Sequence, residues 1–139
     1  MKDFSSLPDG MTAEEVAREF EELLAEAQSA SPPSDVQIVS ALCELGDRQW
    51  HTYRLLREDL RAAVEAWLHA HWNTQSEDYV GQLVWIIGRL GLQTLMSRIE
   101  SALRGPLPND VRQVLEDYWH ETGGDVADPF RGMKNKGRL

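Results

Sequence analysis

The chain has 139 residues, of which 42% are hydrophobic and 27% are charged. This length suits one domain with its own core, and this composition is typical of a folded globular protein rather than a disordered one. No apolar run approaches the roughly eighteen residues of a membrane-spanning helix, and the N-terminus lacks the apolar segment of a signal peptide. The sequence therefore predicts a single cytoplasmic domain.

The charge of the chain is strongly acidic. Fourteen Lys and Arg residues against 23 Asp and Glu residues give a formal net charge of −9. Four of the basic residues lie in the last nine positions: Arg131, Lys134, Lys136 and Arg138. Residues 1–130 thus carry ten basic and 23 acidic side chains, a net charge of −13. A domain with this charge repels nucleic-acid backbones and attracts basic partners. The alternative interpretation, which we weigh equally, is that the acidic residues only keep the protein soluble.

The first helix is predicted to begin at a capping box. Thr12 stands three residues before Glu15, so that each side chain can accept a hydrogen bond from the other residue's backbone N–H. Apolar residues then recur at helical spacing up to Ala27. The pair Pro32–Pro33 cannot continue a helix and marks the first corner.

The second helix is predicted to begin at a second capping box, formed by Ser34 and Gln37, and to end at Gly46. From Arg48 to Trp72 the apolar residues stay near a helical period. This stretch predicts either one long helix or two helices separated near residues 57–59.

The second half of the chain repeats the pattern of helices and tight corners. Thr74 with Glu77 predicts a third capping box, and Gly91 is expected to end the helix that follows. A further apolar-periodic segment extends to Leu103, and the last helix is expected to stop at residues 123–124, both glycines.

These segments predict an all-α fold of six or seven short antiparallel helices. Short loops between consecutive helices favour a HEAT-like stack of helical hairpins, with a compact bundle as the alternative. The expected domain covers residues 1–124. Residues 125–139, with their basic side chains, are expected to form a disordered C-terminal tail.

The segment "HAHWNTQSED", residues 69–78, raises the question of a metal site. On a helix, His69 and His71 point about 200° apart and cannot share one ion, so a helix corner is the better interpretation. Asp117 and His120 have the spacing used in di-iron bundles, but no second copy of that motif occurs. No motif of a known catalytic or cofactor site is present, so we expect no catalytic residue, no cofactor and no metal, and a protein that is not an enzyme.

The tryptophans have different expected roles. Trp85 lies about 140° from the apolar residue Val80 on its helix, on the side of Gly81 and Gly88. The favoured interpretation is that another helix packs over these glycines and buries Trp85; the alternative is an exposed aromatic anchor of a protein interface. Trp72 and Trp119 leave the same two alternatives open.

Residues 72–95, "WNTQSEDYVGQLVWIIGRLGLQTL", resemble HEAT-like bacterial immunity proteins, notably the immunity protein 30 family. In that pattern a helix ends in Trp-His, and His-Glu-Asp followed by Ile or Val opens the next helix. Trp72, Glu77, Asp78 and the corner at Gly91 match this pattern. Asn73 and Ser76 stand where the family has histidines, and Tyr79 replaces the aliphatic residue.

The resemblance implies a small cytosolic protein that binds and neutralises one polymorphic toxin. A basic nuclease is one type of toxin whose charge would be complementary to that of the acidic chain. The alternative function is an acidic helical adaptor or regulator, including a nucleic-acid mimic, that binds a basic partner. Neither direct nucleic-acid binding nor membrane association is expected. The candidate partner-binding residues are acidic and aromatic: Trp72, Glu77, Asp78, Trp85, Glu116, Asp117 and Trp119.

Overall fold

The computed structural model of the protein describes residues 1–130. In this part of the chain there are six α-helices and no β-strand, which confirms the all-α prediction. The helices are α1 (Ala13–Ala27), α2 (Asp35–His51), α3 (Glu58–Ala70), α4 (Glu77–Leu90), α5 (Met96–Leu103) and α6 (Asn109–Thr122). Short 3-10 turns at Phe4–Ser6 and Gln93–Leu95 precede α1 and α5.

The first two capping boxes form as predicted. The Thr12 hydroxyl accepts the Glu15 N–H at 3.2 Å, and the Glu15 carboxylate accepts the Thr12 N–H at 3.0 Å. Ser34 and Gln37 exchange the equivalent pair of bonds at the start of α2. Each box satisfies backbone donors that have no partner within the helix, and so fixes where α1 and α2 begin.

The predicted end of the second helix at Gly46 is wrong. Gly46 is buried inside α2, which continues to His51. A Cβ at Gly46 would lie 3.4 Å from the Cβ of Arg89, so the glycine serves the close approach of α4 rather than helix termination. The stretch 48–72 forms two helices, separated at residues 52–57, where Tyr53 adopts the left-handed conformation with φ 58°.

The third capping box is also wrong, because Ser76 rather than Thr74 caps α4. The Ser76 hydroxyl accepts the Tyr79 N–H at 3.3 Å. Before it, the Asn73 side chain accepts the Gln75 N–H at 2.9 Å. This local turn holds Thr74 in the corner, and the helix therefore begins two residues later.

The predicted glycine stops of α4 and α6 are confirmed. Gly91 (φ 68°) and Gly123 (φ 63°) both adopt the left-handed conformation that L side chains rarely take. At Gly91 there is also no room for a side chain, because a Cβ would lie 3.1 Å from the carbonyl oxygens of Val126 and Ala127.

The helices form a compact bundle in which α4 is central. It packs between α2 and α6, so that these three helices form one row, while α1 packs against α2 and α3, and α5 packs against α6. Large side chains from each of these regions are completely or almost completely buried: Phe20, Leu42, Leu68, Leu83, Ile87, Ile99 and Leu115. The row leaves one side of α4 facing solvent between its two neighbours.

The start of the expected disordered tail at residue 125 needs correction. Val126 is only 6% exposed, and its N–H donates to the Gln93 side chain at 2.7 Å. The Trp50 indole donates to the Pro129 carbonyl at 3.2 Å and stacks on Phe130. Residues 125–130 pack on the body because Val126 and Phe130 find apolar and aromatic partners there. The rest of the predicted tail, residues 131–139, lies outside the described residues.

Candidate protein-binding groove

Trp85 is exposed, contrary to the favoured prediction that a helix buries it. Its side chain is 46% exposed. No atom from another part of the described chain lies within 4 Å of the position that a Cβ of Gly81 would occupy. Only Gly88 is closely approached, by the hydroxyl of Tyr118 at 2.9 Å from such a position. The neighbouring helix α6 therefore covers the Gly88 end of this face and leaves the Gly81 end open.

The exposed indole is nevertheless held in a fixed orientation. Trp85 Nε1 donates to Oδ1 of Asp47, on α2, at 2.8 Å. The guanidinium of Arg89, one turn further along α4, lies 4.3 Å from the ring centre of Trp85. A hydrogen bond at the indole edge and a cation on its face both restrict ring rotation.

Arg89 connects Trp85 to a second aromatic cluster. Its guanidinium also lies 4.4 Å from the ring of Trp50, so it is placed between two indoles. Its Nε donates to the same Asp47 oxygen at 3.1 Å. Trp50 in turn stacks on Phe130 with ring centres 6.2 Å apart. The side chains of α2, α4 and the C-terminal segment thus form a continuous, mutually supported surface.

Trp85 separates two adjoining depressions, which together we call the α4 groove. The first has a volume of 350 Å³ between α4 and α6 and is lined by Val84, Trp85, Gly88, Arg89, Tyr118 and Glu121. The second has a volume of 470 Å³ nearer the start of α4 and is lined by Cys43, Glu77, Asp78, Gly81, Gln82, Trp85 and Val114.

The α4 groove is electrostatically negative. Glu77, Asp78 and Glu121 line it, and the one basic side chain among its described lining residues is Arg89, which is paired with Asp47. Glu77 and Asp78 form no ion pair with any of residues 1–130. Both lie in the first turn of α4, where the helix dipole favours negative charge. No basic side chain of residues 1–130 neutralises their charges.

Two of the titratable groups on the groove wall, the Cys43 thiol and the Tyr118 hydroxyl, stay neutral at physiological pH. Burial raises the pKa of the Cys43 thiol to about 12, and the nearby carboxylates of Asp47 and Glu44 act in the same direction. Burial likewise raises the pKa of the Tyr118 hydroxyl. A protonated thiol is a poor nucleophile, so burial lowers the reactivity of Cys43.

The structure brings together three of the seven candidate residues, namely Glu77, Asp78 and Trp85. The other four lie outside the groove lining. Trp72 is half-buried against the core with Arg98 5.1 Å from its ring centre, and half-buried Trp119 covers Gly124. These contacts favour a packing role for both indoles.

The two remaining acidic candidates lie on α6. Glu116 lies 3.8 Å from Arg112, and Asp117 accepts a hydrogen bond from Gln113 at 2.8 Å. Asp117 falls on the same stripe of α6 as Val114 and Glu121, which line the groove, although Asp117 itself does not. Glu116 and Asp117 are therefore close to Trp119 in sequence but do not form a common site with it.

The two histidines of the corner take different partners. His71 Nδ1 lies 3.0 Å from Asp35 and its ring stacks on Trp67, whereas His69 Nδ1 lies 3.2 Å from a nitrogen of Arg98. Within residues 1–130 no group of three or more His, Cys, Asp or Glu side chains has the arrangement to hold a metal ion. The corner residues instead fix the end of α3.

Comparison of the chain with family models, curated proteins and solved structures gave no match. Within the described residues, no helix combines the length and the apolar character that crossing a bilayer requires. The resemblance to immunity proteins therefore rests on residues 72–95 alone.

Proposed function

We propose that this protein is an immunity protein that binds one antibacterial protein toxin stoichiometrically and blocks it without catalysis. The observation that carries the proposal is Trp85, an exposed indole held rigidly within an acidic groove. Exposed tryptophans of this kind are the side chains that most often dominate the free energy of protein interfaces. The other parts of the proposal follow from charge and from the matching residues at 72–95.

The rigidity of Trp85 supports a binding role because it lowers the entropic cost of association. An indole that is free to rotate loses conformational freedom when a partner covers it, typically about 0.5–1.5 kcal/mol for a side chain with several rotamers. The bond to Asp47 and the stack on Arg89 remove much of this freedom before binding. An indole that is already ordered before binding is a better interface anchor than one that the partner must order, because it loses less conformational entropy.

The charge of the protein supports a basic partner. Residues 1–130 carry a net charge of −13, and the carboxylates of Glu77 and Asp78, which form no ion pair within these residues, border the groove. Complementary charge raises the association rate and rejects partners of the same sign. A basic toxin, such as a nuclease that must itself bind nucleic acid, has the complementary surface.

The choice of a toxin rather than another basic protein rests on the resemblance at residues 72–95. The row formed by α2, α4 and α6, with α1 packed against α2 and α3, is the part of the bundle that would correspond to the hairpin stack that the resemblance implies. An acidic adaptor that binds a basic regulatory protein would use the same groove and is the alternative that the experiment must separate.

Co-expression with a candidate toxin gene, taken from the genes that flank the gene of this protein, tests the proposal. We expect growth to be rescued and a 1:1 complex to be isolated, with Trp85→Ala reducing both effects. Leu55→Ala is the matched control, because Leu55 is 47% exposed and lies outside the α4 groove. A toxin that still kills cells and forms no complex with the folded wild-type protein would reject immunity in favour of the adaptor.

A further inference from the structure

We infer that the partner inserts an arginine side chain into the part of the α4 groove beside Gly81, between the Trp85 indole and the carboxylates of Glu77 and Asp78. We call this part the Gly81 slot, defined by Glu77, Asp78, Gly81 and Trp85. The inference rests on the proposed function in that it assumes a basic protein partner, and it adds the chemical group that the partner contributes.

The first argument is space. Gly81 lacks a side chain, and no atom from another part of the described chain lies within 4 Å of where its Cβ would be. Glu77 and Trp85 lie four residues before and after Gly81, so all three occupy the same face of α4. The depression at this position has a volume of 470 Å³. A side chain entering there would meet helix backbone below, an indole on one side and a carboxylate on the other.

The second argument is the chemistry of the walls. The face of an indole attracts cations, and tryptophan does so more strongly than tyrosine or phenylalanine. Glu77 and Asp78 add two carboxylates, and none of the described residues that line the slot is basic. An apolar side chain would leave these carboxylates facing a non-polar group. A cation can interact favourably with both the indole face and the carboxylates.

The third argument favours arginine over lysine. The Arg89 guanidinium lies 4.3 Å from the Trp85 ring centre, so this indole already has one guanidinium as a neighbour, and the partner's arginine would contact the part of the indole that lines the depression. A guanidinium can stack on a ring and at the same time donate in parallel to a carboxylate, whereas an ammonium acts as a point charge with a tightly held water shell. The Glu77 and Asp78 carboxylates, which line the same depression, can accept such bonds.

The test titrates the full chain with N-acetyl-arginine amide and follows the Trp85 indole Nε1–H signal by NMR. We expect a saturable shift with the arginine compound and about tenfold weaker binding of the citrulline analogue, which has the same shape without the charge. Equal binding of the two compounds, or no shift at all with the arginine compound, would overturn the inference.

Gly81→Leu provides the matched variant. Leucine is a good helix former, its Cβ meets open space, and the rest of its side chain would extend into the 470 Å³ depression, so we expect the variant to keep the helical circular dichroism and melting temperature of the parent while losing the arginine response. A folded Gly81→Leu protein that binds the arginine compound like the parent would contradict the slot.

The two proposals fail separately. If the parent binds the toxin but shows no arginine response, the slot is wrong and the immunity function stands. If the arginine response is present and depends on Gly81 but the adjacent toxin is neither bound nor neutralised, the slot stands and the immunity function is wrong.

Discussion

The Trp85 indole nitrogen donates to the Asp47 carboxylate at 2.8 Å, and this bond joins the exposed anchor on α4 to a half-buried acid on α2. The same Asp47 oxygen accepts the Nε–H of Arg89 at 3.1 Å. One carboxylate therefore orients both the indole and the cation that stacks on it. Asp47 is a positioning residue for Trp85.

Asp47→Ala should weaken partner binding mainly by increasing the dissociation rate. Loss of the hydrogen bond to Trp85 removes about 1 kcal/mol of stabilisation of the indole orientation, which is the usual net contribution of one hydrogen bond. Asp47→Asn retains an oxygen acceptor for the indole and should restore most of the affinity, which a purely electrostatic role would not allow. Surface plasmon resonance of both variants, with the Trp85 indole NMR signal as a readout of orientation, checks the prediction.

Ser76→Ala should lower the free energy of unfolding by about 1 kcal/mol, the typical cost of losing an N-cap. Thr74→Ala, two residues earlier, should change it far less, because Thr74 lies in the corner and caps no helix. Urea denaturation of the two variants measures the difference. A larger loss for Thr74→Ala than for Ser76→Ala would place the start of α4 where the sequence pattern put it.

The contrast between these two residues shows what could be predicted from the sequence. Capping residues and glycine stops act within a few residues, so the starts of α1 and α2 and the ends of α4 and α6 were predicted correctly. The start of α4 was not, because Asn73 forms a competing local turn. Gly46 was misassigned for a different reason: its role is to admit Arg89 from another helix, which spacing along one helix does not reveal.

Gly91→Ala should destabilise the protein by at least about 1–2 kcal/mol, the cost of left-handed backbone for an L residue. The added methyl would also press on the carbonyls of Val126 and Ala127. Gly81→Ala is the matched control: Gly81 lies inside α4, the helix that Gly91 ends, an added Cβ there meets open space, and the substitution should be neutral or stabilising by up to about 1 kcal/mol. Thermal denaturation of the two variants measures the difference. A Gly91→Ala protein that is as stable as the Gly81→Ala protein would contradict the prediction.

Cys43 should resist alkylation in the folded protein. Its pKa of about 12, against 9.0 for an unperturbed thiol, implies on the order of 1000-fold less thiolate near pH 8. Between pH 9 and 12 the unfolded chain loses this proton while the folded chain keeps it, so the contribution of Cys43 to stability falls as pH rises through this window. Iodoacetamide labelling with and without urea checks the reactivity; equal rates would contradict it.

The acidic and aromatic candidate residues show the limit of sequence reasoning about the site. Glu77, Asp78 and Trp85 were selected from one helix and its corner, and they do lie together because one α-helical face holds them. Val114 and Tyr118, which line the groove from α6, and Asp47, which bonds to Trp85 from α2, were missed because nothing in their spacing along the chain indicates these positions. The exposure of Trp85 likewise depends on where α6 packs, over Gly88 and not over Gly81.

The central claim is that the acidic α4 groove captures a basic toxin, and association kinetics of charge variants test it most directly. Glu77→Lys is compared with Glu58→Lys, because both residues are exposed and occupy the first position of a helix, but only Glu77 lines the groove. The two variants therefore change net charge and helix dipole equally.

We expect Glu77→Lys to slow association with the toxin severalfold at low salt and to flatten its salt dependence, with a much smaller effect of Glu58→Lys. Trp85→Ala should instead speed dissociation and weaken binding by about 2 kcal/mol or more, the usual threshold for an interface hot spot. Equal slowing by the two lysine variants, together with unchanged binding of a folded Trp85→Ala protein, would contradict the groove as the binding site.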